Sequence, residues 1–306
     1  MSFPKKSLGQ NFLTSVGAVN KIVDTALNCG GPTSDITILE VGPGRGVLTE
    51  ALLKKFDKVV AVEKDHELVR LLQEKFAKEI TSGQLRLIEG DILELTPTSL
   101  GAKLPKNYAV VANIPYYITG QFLRSWLSID PQPKYMVLMV QKEVAKRIVA
   151  TNSKESLLSI SVKVYGEPTY IETVKRGSFH PIPNVDSAIL KIGNISKYFF
   201  YSLGAKLPKN SHPTSGASLT EESFFTVLRA GFTHKRKFLL RNLADHHTGL
   251  PCVHIHRGDL CGGDDKKIGE CFAVCRIDPK ARAEDLKPED WRCLASSLRV
   301  KRSNLI

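Results

Sequence analysis

The stretch ITILEVGPGRGVLTEALL, residues 36–53, decides the fold. Its first six residues, Ile36 to Val41, form a short apolar run of the kind that makes a buried strand, and a polar, glycine-rich turn follows at once. Val47, Leu48, Ala51 and Leu52 then fall on one face of a 3.6-residue period, which predicts a helix. Between strand and helix lies Glu40-x-Gly42-Pro43-Gly44-Arg45-Gly46. Glycines allow a sharp turn and a close backbone approach to a ligand beside a helix amino terminus. The spacing is GxGxG, whereas a dinucleotide fold uses GxGxxG, so a ligand without a pyrophosphate is favoured.

Working outward, strands are expected at 58–63, 85–91, 108–112, 134–140, 160–165 and 185–192, with helices at 65–79, 120–127 and 141–150 between them. Before the glycine loop, Val16, Val19, Ile22, Val23, Ala26 and Leu27 predict a first helix, preceded by a polar, basic arm, KKSLGQNFL, expected to be flexible. Seven strands alternating with helices imply an open, mostly parallel α/β sheet whose ligands sit at the strand carboxyl ends. Glu63 ends the second strand, about 20 residues beyond the loop, where an acid accepts from ribose hydroxyls. Asp91, at the end of the third, is placed to accept from an adenine amine. The fourth strand runs into Asn113-Ile114-Pro115-Tyr116-Tyr117, where Pro115 pushes Ile114 out of helical geometry. An amide acceptor, a backbone carbonyl and an aromatic ring suit a flat heterocycle with an exocyclic amine. A glycine loop and acids on successive strand ends together describe S-adenosylmethionine as the cofactor.

The 306-residue chain is 42% hydrophobic, enough for a full α/β domain and a smaller partner. It has no apolar run of about 18 residues, so no membrane partner is expected, and MSFPKKSLGQNFL has no apolar signal core. A cytoplasmic protein is the expectation. Net charge is +12, of which +8 falls in residues 191–306, where 20 Lys and Arg face 12 Asp and Glu. Such a surplus suits a polyanion or a solvated basic surface. The six cysteines contain no CxxC pair, and free thiols are expected.

Periodicity is lost from Gly193 to Ala217, a linker or insertion containing the second copy of SLGAKLPKN (99–107 and 202–210). A helix at 220–230, the basic amphipathic stretch HKRKFLLRNL (234–243) and a helical tail at 279–299 then describe a small helical domain. The expected organisation is a catalytic domain over 1–193, a linker over 194–217 and a helical domain over 218–306. Cys252, His254, His256 and Cys261 offer four zinc donors, but their spacing fits no standard finger and alternating His also suits an exposed face; no metal is assigned.

These segments resemble the small-subunit ribosomal RNA adenine-N6,N6-dimethyltransferases, the KsgA family. The resemblance rests on KKSLGQNFL, ILEVGPGRGVLTEAL, VVAVEKD, IEGDIL, VVANIPYYIT, MVQKEVAKRI, SFHPIPNVDSAIL, HKRKFLLRNL and IDPKARAEDL, over nearly the whole chain. It implies a class I S-adenosylmethionine-dependent methyltransferase fold, a Rossmann-like seven-stranded sheet with a small helical carboxyl-terminal domain. The implied reaction dimethylates two adjacent adenosines near the 3′ end of the 16S rRNA, on an immature 30S particle, by a monomeric enzyme with a role in subunit biogenesis. By the same resemblance Asn11, Leu13, Gly42, Gly44, Glu63, Asp91 and Asn113 hold the cofactor. Asn113 and the Ile114 carbonyl accept from the target amine. Tyr116 and Phe179 stack on the two faces of the flipped base, although core packing is an equal alternative for Phe179. Lys5, Lys6, Lys235, Arg236, Lys237 and Arg241 meet rRNA phosphates. The nearest rival within the class methylates large-subunit rRNA, and a rival outside it is a non-catalytic assembly factor. The segments 199–217 and 245–264 depart from the family pattern, and their contribution is left open.

Overall fold

The structure, a computed structural model, describes residues 4–5, 8–30, 33–100, 104–201, 219–245 and 263–299. Lys6, the second SLGAKLPKN copy and the Cys252, His254, His256, Cys261 cluster lie outside the described residues. The chain divides into two compact units: residues 1–149 with 165–196, and residues 150–164 with 197–306.

The first unit opens with β1 (Phe12–Leu13) and α1 (Val16–Leu27), and then alternates β2 (Thr37–Val41), α2 (Val47–Leu53), β3 (Val59–Glu63), α3 (His66–Lys75), α4 (Ala77–Thr81) and β4 (Leu85–Glu89). A short α5 (Pro97–Leu100) leads to β5 (Tyr108–Asn113), α6 (Thr119–Ser128), β6 (Met136–Gln141) and α7 (Lys142–Val149). After α8 (Leu157–Lys163), which belongs to the second unit, come β7 (Glu167–Val174), β8 (Phe179–His180) and β9 (Ser187–Gly193). The main sheet has seven strands in the order β4-β3-β2-β5-β6-β9-β7. Pairings from β4 through β6 are parallel, and β9 runs antiparallel to both β6 and β7. Strand order reverses between β2 and β5, which opens a crevice at their carboxyl ends.

The core explains the strand sequences. Tyr108 through Ala112 are fully buried, as are Met136 through Val140, because helices cover both faces of the sheet. In α1, Ser15 caps the helix by accepting from Ala18 N–H, while Val19, Ile22, Val23 and Ala26 are buried and Val16 stays exposed. The helix expected over 65–79 is two helices, broken at Phe76. The Phe76 ring packs so closely on Gly46 that a Cβ there would stand 2.5 Å from it.

One expected strand is a helix. ISVKVY (160–165) alternates β-branched residues, but Ser156 and Ser159 form a reciprocal capping box that starts α8, and Ile160 and Val164 are buried one turn apart. The seventh strand is β7 instead. Its sequence EPTYIETV is half-exposed, interrupted by a bulge and carries Pro168, as befits a sheet edge.

The second unit comprises α8, α9 (Tyr198–Tyr201), α10 (Glu221–Gly231), α11 (Leu239–Asp245), α12 (Gly263–Val274) and α13 (Pro288–Arg299). Phe199, Phe200, Phe224 and Phe225 pack edge to face or tilted, and Trp291, fully buried, stacks on Phe232 at 5.5 Å. The expectation of free thiols is corrected here: Cys275 and Cys293 are joined by a disulfide, with Cα atoms 5.8 Å apart. They stand 18 positions apart in sequence, a spacing no CxxC search detects. Cys29 is not in a disulfide. No helix among the described residues is long and apolar enough to cross a membrane.

Candidate active site

The crevice at the carboxyl ends of β2, β3, β4 and β5 is a cleft of about 1000 Å³, its open mouth included. Its walls are the arm (Leu8 to Leu13), the glycine loop (Gly42 to Arg45), the β3 end (Glu63 and Lys64), Gly90 to Ile92, and Asn113 to Ile118. Asn11, Leu13, Gly42, Gly44, Glu63, Asp91, Asn113, Ile114 and Tyr116 therefore all line one cavity.

The loop is shaped by backbone geometry. Gly42, Gly44 and Gly46 all have positive φ, between 61° and 75°, which side-chain-bearing residues adopt only with strain. A Cβ at Gly44 would also stand 3.0 Å from the Phe12 ring, so the loop and the arm touch where it turns. Glu63 secures this turn: its Oε2 accepts from Gly44 N–H at 3.0 Å and its Oε1 from Asp65 N–H at 2.9 Å. Only 6% of Glu63 is exposed; burial pushes its carboxyl above the ordinary range, against the pull of the backbone donors. A carboxylate has about four acceptor sites, so with these backbone donors it keeps acceptor capacity for a ligand.

Asp91 stands two residues past the end of β4 rather than on the strand. Its Oδ2 accepts from Lys64 Nζ at 2.7 Å and its Oδ1 from Leu93 N–H at 2.9 Å. Burial opposes its charge, but the Lys64 ammonium and the backbone donor outweigh it and hold the carboxyl below the usual range. Asn113 ends β5, and its Nδ2 donates to the Asn11 carbonyl at 3.2 Å. That bond commits the amide's donor side and leaves Oδ1 as an acceptor. The Ile114 N–H donates to the Met139 carbonyl, while the Ile114 carbonyl accepts from no described residue. Asn113 and Ile114 thus each bring an acceptor with no partner among the described residues, and both residues line the cleft.

Tyr116 lines the cleft with its hydroxyl 2.6 Å from Ser187 Oγ, which fixes the ring, and burial raises its pKa. Phe179 requires a correction. β8 pairs antiparallel with β1, setting Phe179 opposite Leu13, and the ring turns into the hydrophobic core with 2% exposure. It does not line the cleft, so core packing, not base stacking, describes it. The aromatic ring at the mouth is Tyr117, 61% exposed and packed against Gly9. Its position directly after Tyr116 was the available signal.

The arm is anchored rather than loose. Lys5 pairs with Asp65 at 2.8 Å and with Glu67 at 3.2 Å, so its charge is committed within the protein instead of being free for phosphate. In the second unit, Lys235, Arg236, Lys237 and Arg241 are all exposed. Lys237 pairs with Asp245 at 3.0 Å, and the buried Asn242 donates to the Gly231 and His234 carbonyls, which holds the basic turn in shape.

Glu40, on β2, opens the glycine-loop motif, but its place in an apolar strand gives the sequence no sign of a role for it. It lines the cleft with 1% exposure, and its Oε2 has no partner among the described residues. Burial, reinforced by the nearby Glu63, pushes it up to about 8. A neutral buried acid, an ionised carboxylate at Asp91 and a cradle that a Cβ would fill together fit a ligand carrying ribose, adenine and amino-acid groups.

The ribosomal RNA adenine dimethylase family model matches residues 1–200. The chain belongs to that family. It is 40% identical over 292 residues to the ribosomal RNA small subunit methyltransferase A of Dehalococcoides mccartyi strain 195, covering 95% of this chain and 87% of the relative. It is 35% identical to the protein of the same name from Geobacillus thermodenitrificans, covering 96% and 90%. Among solved structures, a dimethyladenosine transferase from Plasmodium falciparum superposes with a TM-score of 0.70 at 26% identity, covering 92% of this chain and 95% of that one. The 23S rRNA methyltransferase ErmE shares the fold, with a TM-score of 0.65 at 22% identity over 94% of this chain and 99% of that one. The dimethylase uses S-adenosylmethionine and has the class I methyltransferase fold with a helical carboxyl-terminal region.

Proposed function

We propose that the chain dimethylates N6 of two adjacent adenosines near the 3′ end of 16S rRNA, acting as a monomer on an immature 30S particle in the cytoplasm. The observation that carries the chemistry is the pair of acceptors at the end of β5, Asn113 Oδ1 and the Ile114 carbonyl, in the cleft that holds the glycine loop. S-adenosylmethionine, when bound, supplies an electrophilic methyl group. Gly42, Gly44, Glu63 and Asp91 hold it, with Asn11 and Leu13 closing from the arm.

An adenine amine is a poor nucleophile because its lone pair is conjugated into the ring. Asn113 Oδ1 and the Ile114 carbonyl accept hydrogen bonds from its N–H groups, which favours a pyramidal nitrogen and frees the lone pair; the proton displaced at each methylation leaves to solvent. Positioning and electrostatics then supply the rate, with no strong base required. Tyr116, its hydroxyl fixed on Ser187, offers a ring for the base to stack on once it leaves the RNA helix. Lys235, Arg236 and Arg241 meet rRNA phosphates. The similarity to enzymes named for the small subunit supports that substrate over the large one.

Undermethylated small subunits incubated with the protein and S-adenosylmethionine, then digested to nucleosides, are expected to yield N6,N6-dimethyladenosine. Transfer to large-subunit rRNA alone would overturn the substrate, and binding to immature subunits without transfer would overturn the chemistry.

A further inference from the structure

The arm is fastened at two places by different means. At its inner end, Phe12 and Leu13 pair through the backbone with His180 and Phe179. At its outer end the fastening is made by side chains, and it converges on Asp65. Lys5 Nζ donates to Asp65 Oδ1 at 2.8 Å and Gln10 Nε2 donates to Oδ2 at 2.8 Å. Lys5 N–H in turn donates to Gln10 Oε1 at 2.7 Å, so the three residues close a ring of bonds. The same carboxylate caps α3 by accepting from Glu67 N–H, and the Asp65 amide donates to Glu63 Oε1 at 2.9 Å. Asp65 does not line the cleft, yet it touches both the acid that secures the glycine loop and the arm that forms the facing wall.

We propose that Asp65 is a positioning residue that latches the amino-terminal arm over the cofactor cleft, so that the Lys5 and Gln10 bonds govern how long the cofactor is held. The asymmetry of the pair supports a latch over a permanent brace. The Asp65 side chain is fully buried, whereas 38% of the Lys5 side chain is exposed. A charge pair with one wet partner can part and re-form, and it weakens with salt. Parting it leaves the β1–β8 pairing intact as a hinge, and Gly9, at φ +59°, turns the chain between Lys5 and Gln10 within the outer fastening. Because Asp65 also holds Glu63, arm closure and the geometry of the ribose-facing acid are coupled through one residue.

The inference rests on the reading of the cleft as the cofactor site. Its test is the binding of S-adenosylhomocysteine to the full-length protein, measured as affinity and as dissociation rate. Wild type is compared with Lys5→Met, Gln10→Met, Asp65→Asn and the conservative Lys5→Arg. Lys5→Met is expected to dissociate about tenfold faster than wild type, as loss of a charge-assisted bond implies. Lys5→Arg should restore near-normal retention, and the melting temperature of ligand-free Lys5→Met should be that of wild type. Salt should accelerate release from wild type more than from Lys5→Met. Tryptic cleavage of the arm should be suppressed by S-adenosylhomocysteine in wild type and not in Lys5→Met. Unchanged dissociation rates in both Lys5→Met and Asp65→Asn, with wild type binding normally, would overturn the latch alone. Failure of wild type to bind S-adenosylhomocysteine would overturn the cleft assignment and the latch with it.

Discussion

Gly44 and Glu63 lie 19 residues apart in the chain and meet through one hydrogen bond, Gly44 N–H to Glu63 Oε2 at 3.0 Å. The bond ties the glycine loop after β2 to the end of β3. Loop shape and the acid opposite it are thus one unit. Glu63→Ala is expected to lower S-adenosylhomocysteine affinity at least tenfold. It also leaves the Gly44 and Asp65 amides unsatisfied, at a cost of about 1–3 kcal/mol each. Calorimetric titration together with thermal denaturation measures both effects, and unchanged affinity in a folded variant contradicts the role.

Asn113→Ala removes one of the two acceptors and the donor that reaches the Asn11 carbonyl. Methyl transfer should fall by about 10²-fold or more, the size associated with loss of one positioned polar group. Binding to undermethylated small subunits should remain within severalfold of wild type. Near-normal turnover would remove Asn113 from the chemistry.

Glu40 gives the stability of the fold a pH signature. Its folded pKa, about 8, lies above the unfolded value of 4.5, so the native state retains a proton that the unfolded state releases. The contribution is fully present below the unfolded value and is lost as pH rises through about 8. In Glu40→Gln the fall in melting temperature between these two pH values should be shallower than in wild type. Parallel melting curves across that range would show that Glu40 is ionised in the fold.

Gly46→Ala tests why the loop carries a third glycine. Its φ is +75°, and an added Cβ meets Phe76 at 2.5 Å and Leu72 at 2.8 Å. A loss of about 3 kcal/mol is expected from left-handed backbone strain and overpacking together. Urea denaturation provides the measurement.

Replacing Lys235 and Arg236 with alanine should reduce the slope of log affinity against log salt for small-subunit rRNA by about 1.5–2, the increment for two phosphate contacts. An unchanged slope would assign these charges to solvent.

Sequence patterns were decisive where one pattern had one physical meaning. Five parallel strands, the glycine loop and Glu63 at the end of β3 were legible because apolar runs and glycine spacing admit few alternatives. The region from 150 to 175 was not. ISVKVY alternates like a strand, and only the Ser156–Ser159 box, a local hydrogen-bond exchange, makes it helical. β7 is not legible because an edge strand is polar, nor is α12, where Ile268 and Phe272 are the buried side chains among the described ones. Within the site, the cleft-lining Gly42, Gly44, Glu63, Asp91 and Asn113 could be read from the strand ends. Asp65, Gln10 and the inward turn of Phe179 could not, since each depends on a partner far away in sequence.

The pairing of β1 with β8 has a consequence for synthesis. Thr14, just after β1, bonds through its N–H and its hydroxyl to the Ser178 carbonyl, across 164 residues. A chain emerging from the ribosome has made its glycine loop and its acids long before residue 178 appears. Until then the arm has no strand to join, and closing so long a loop carries a heavy entropic cost until the sheet has formed. The cofactor cleft is therefore completed late in translation. A nascent chain truncated before Phe179 would carry every cofactor-facing residue assigned to the cleft and still lack the strand that seats its arm.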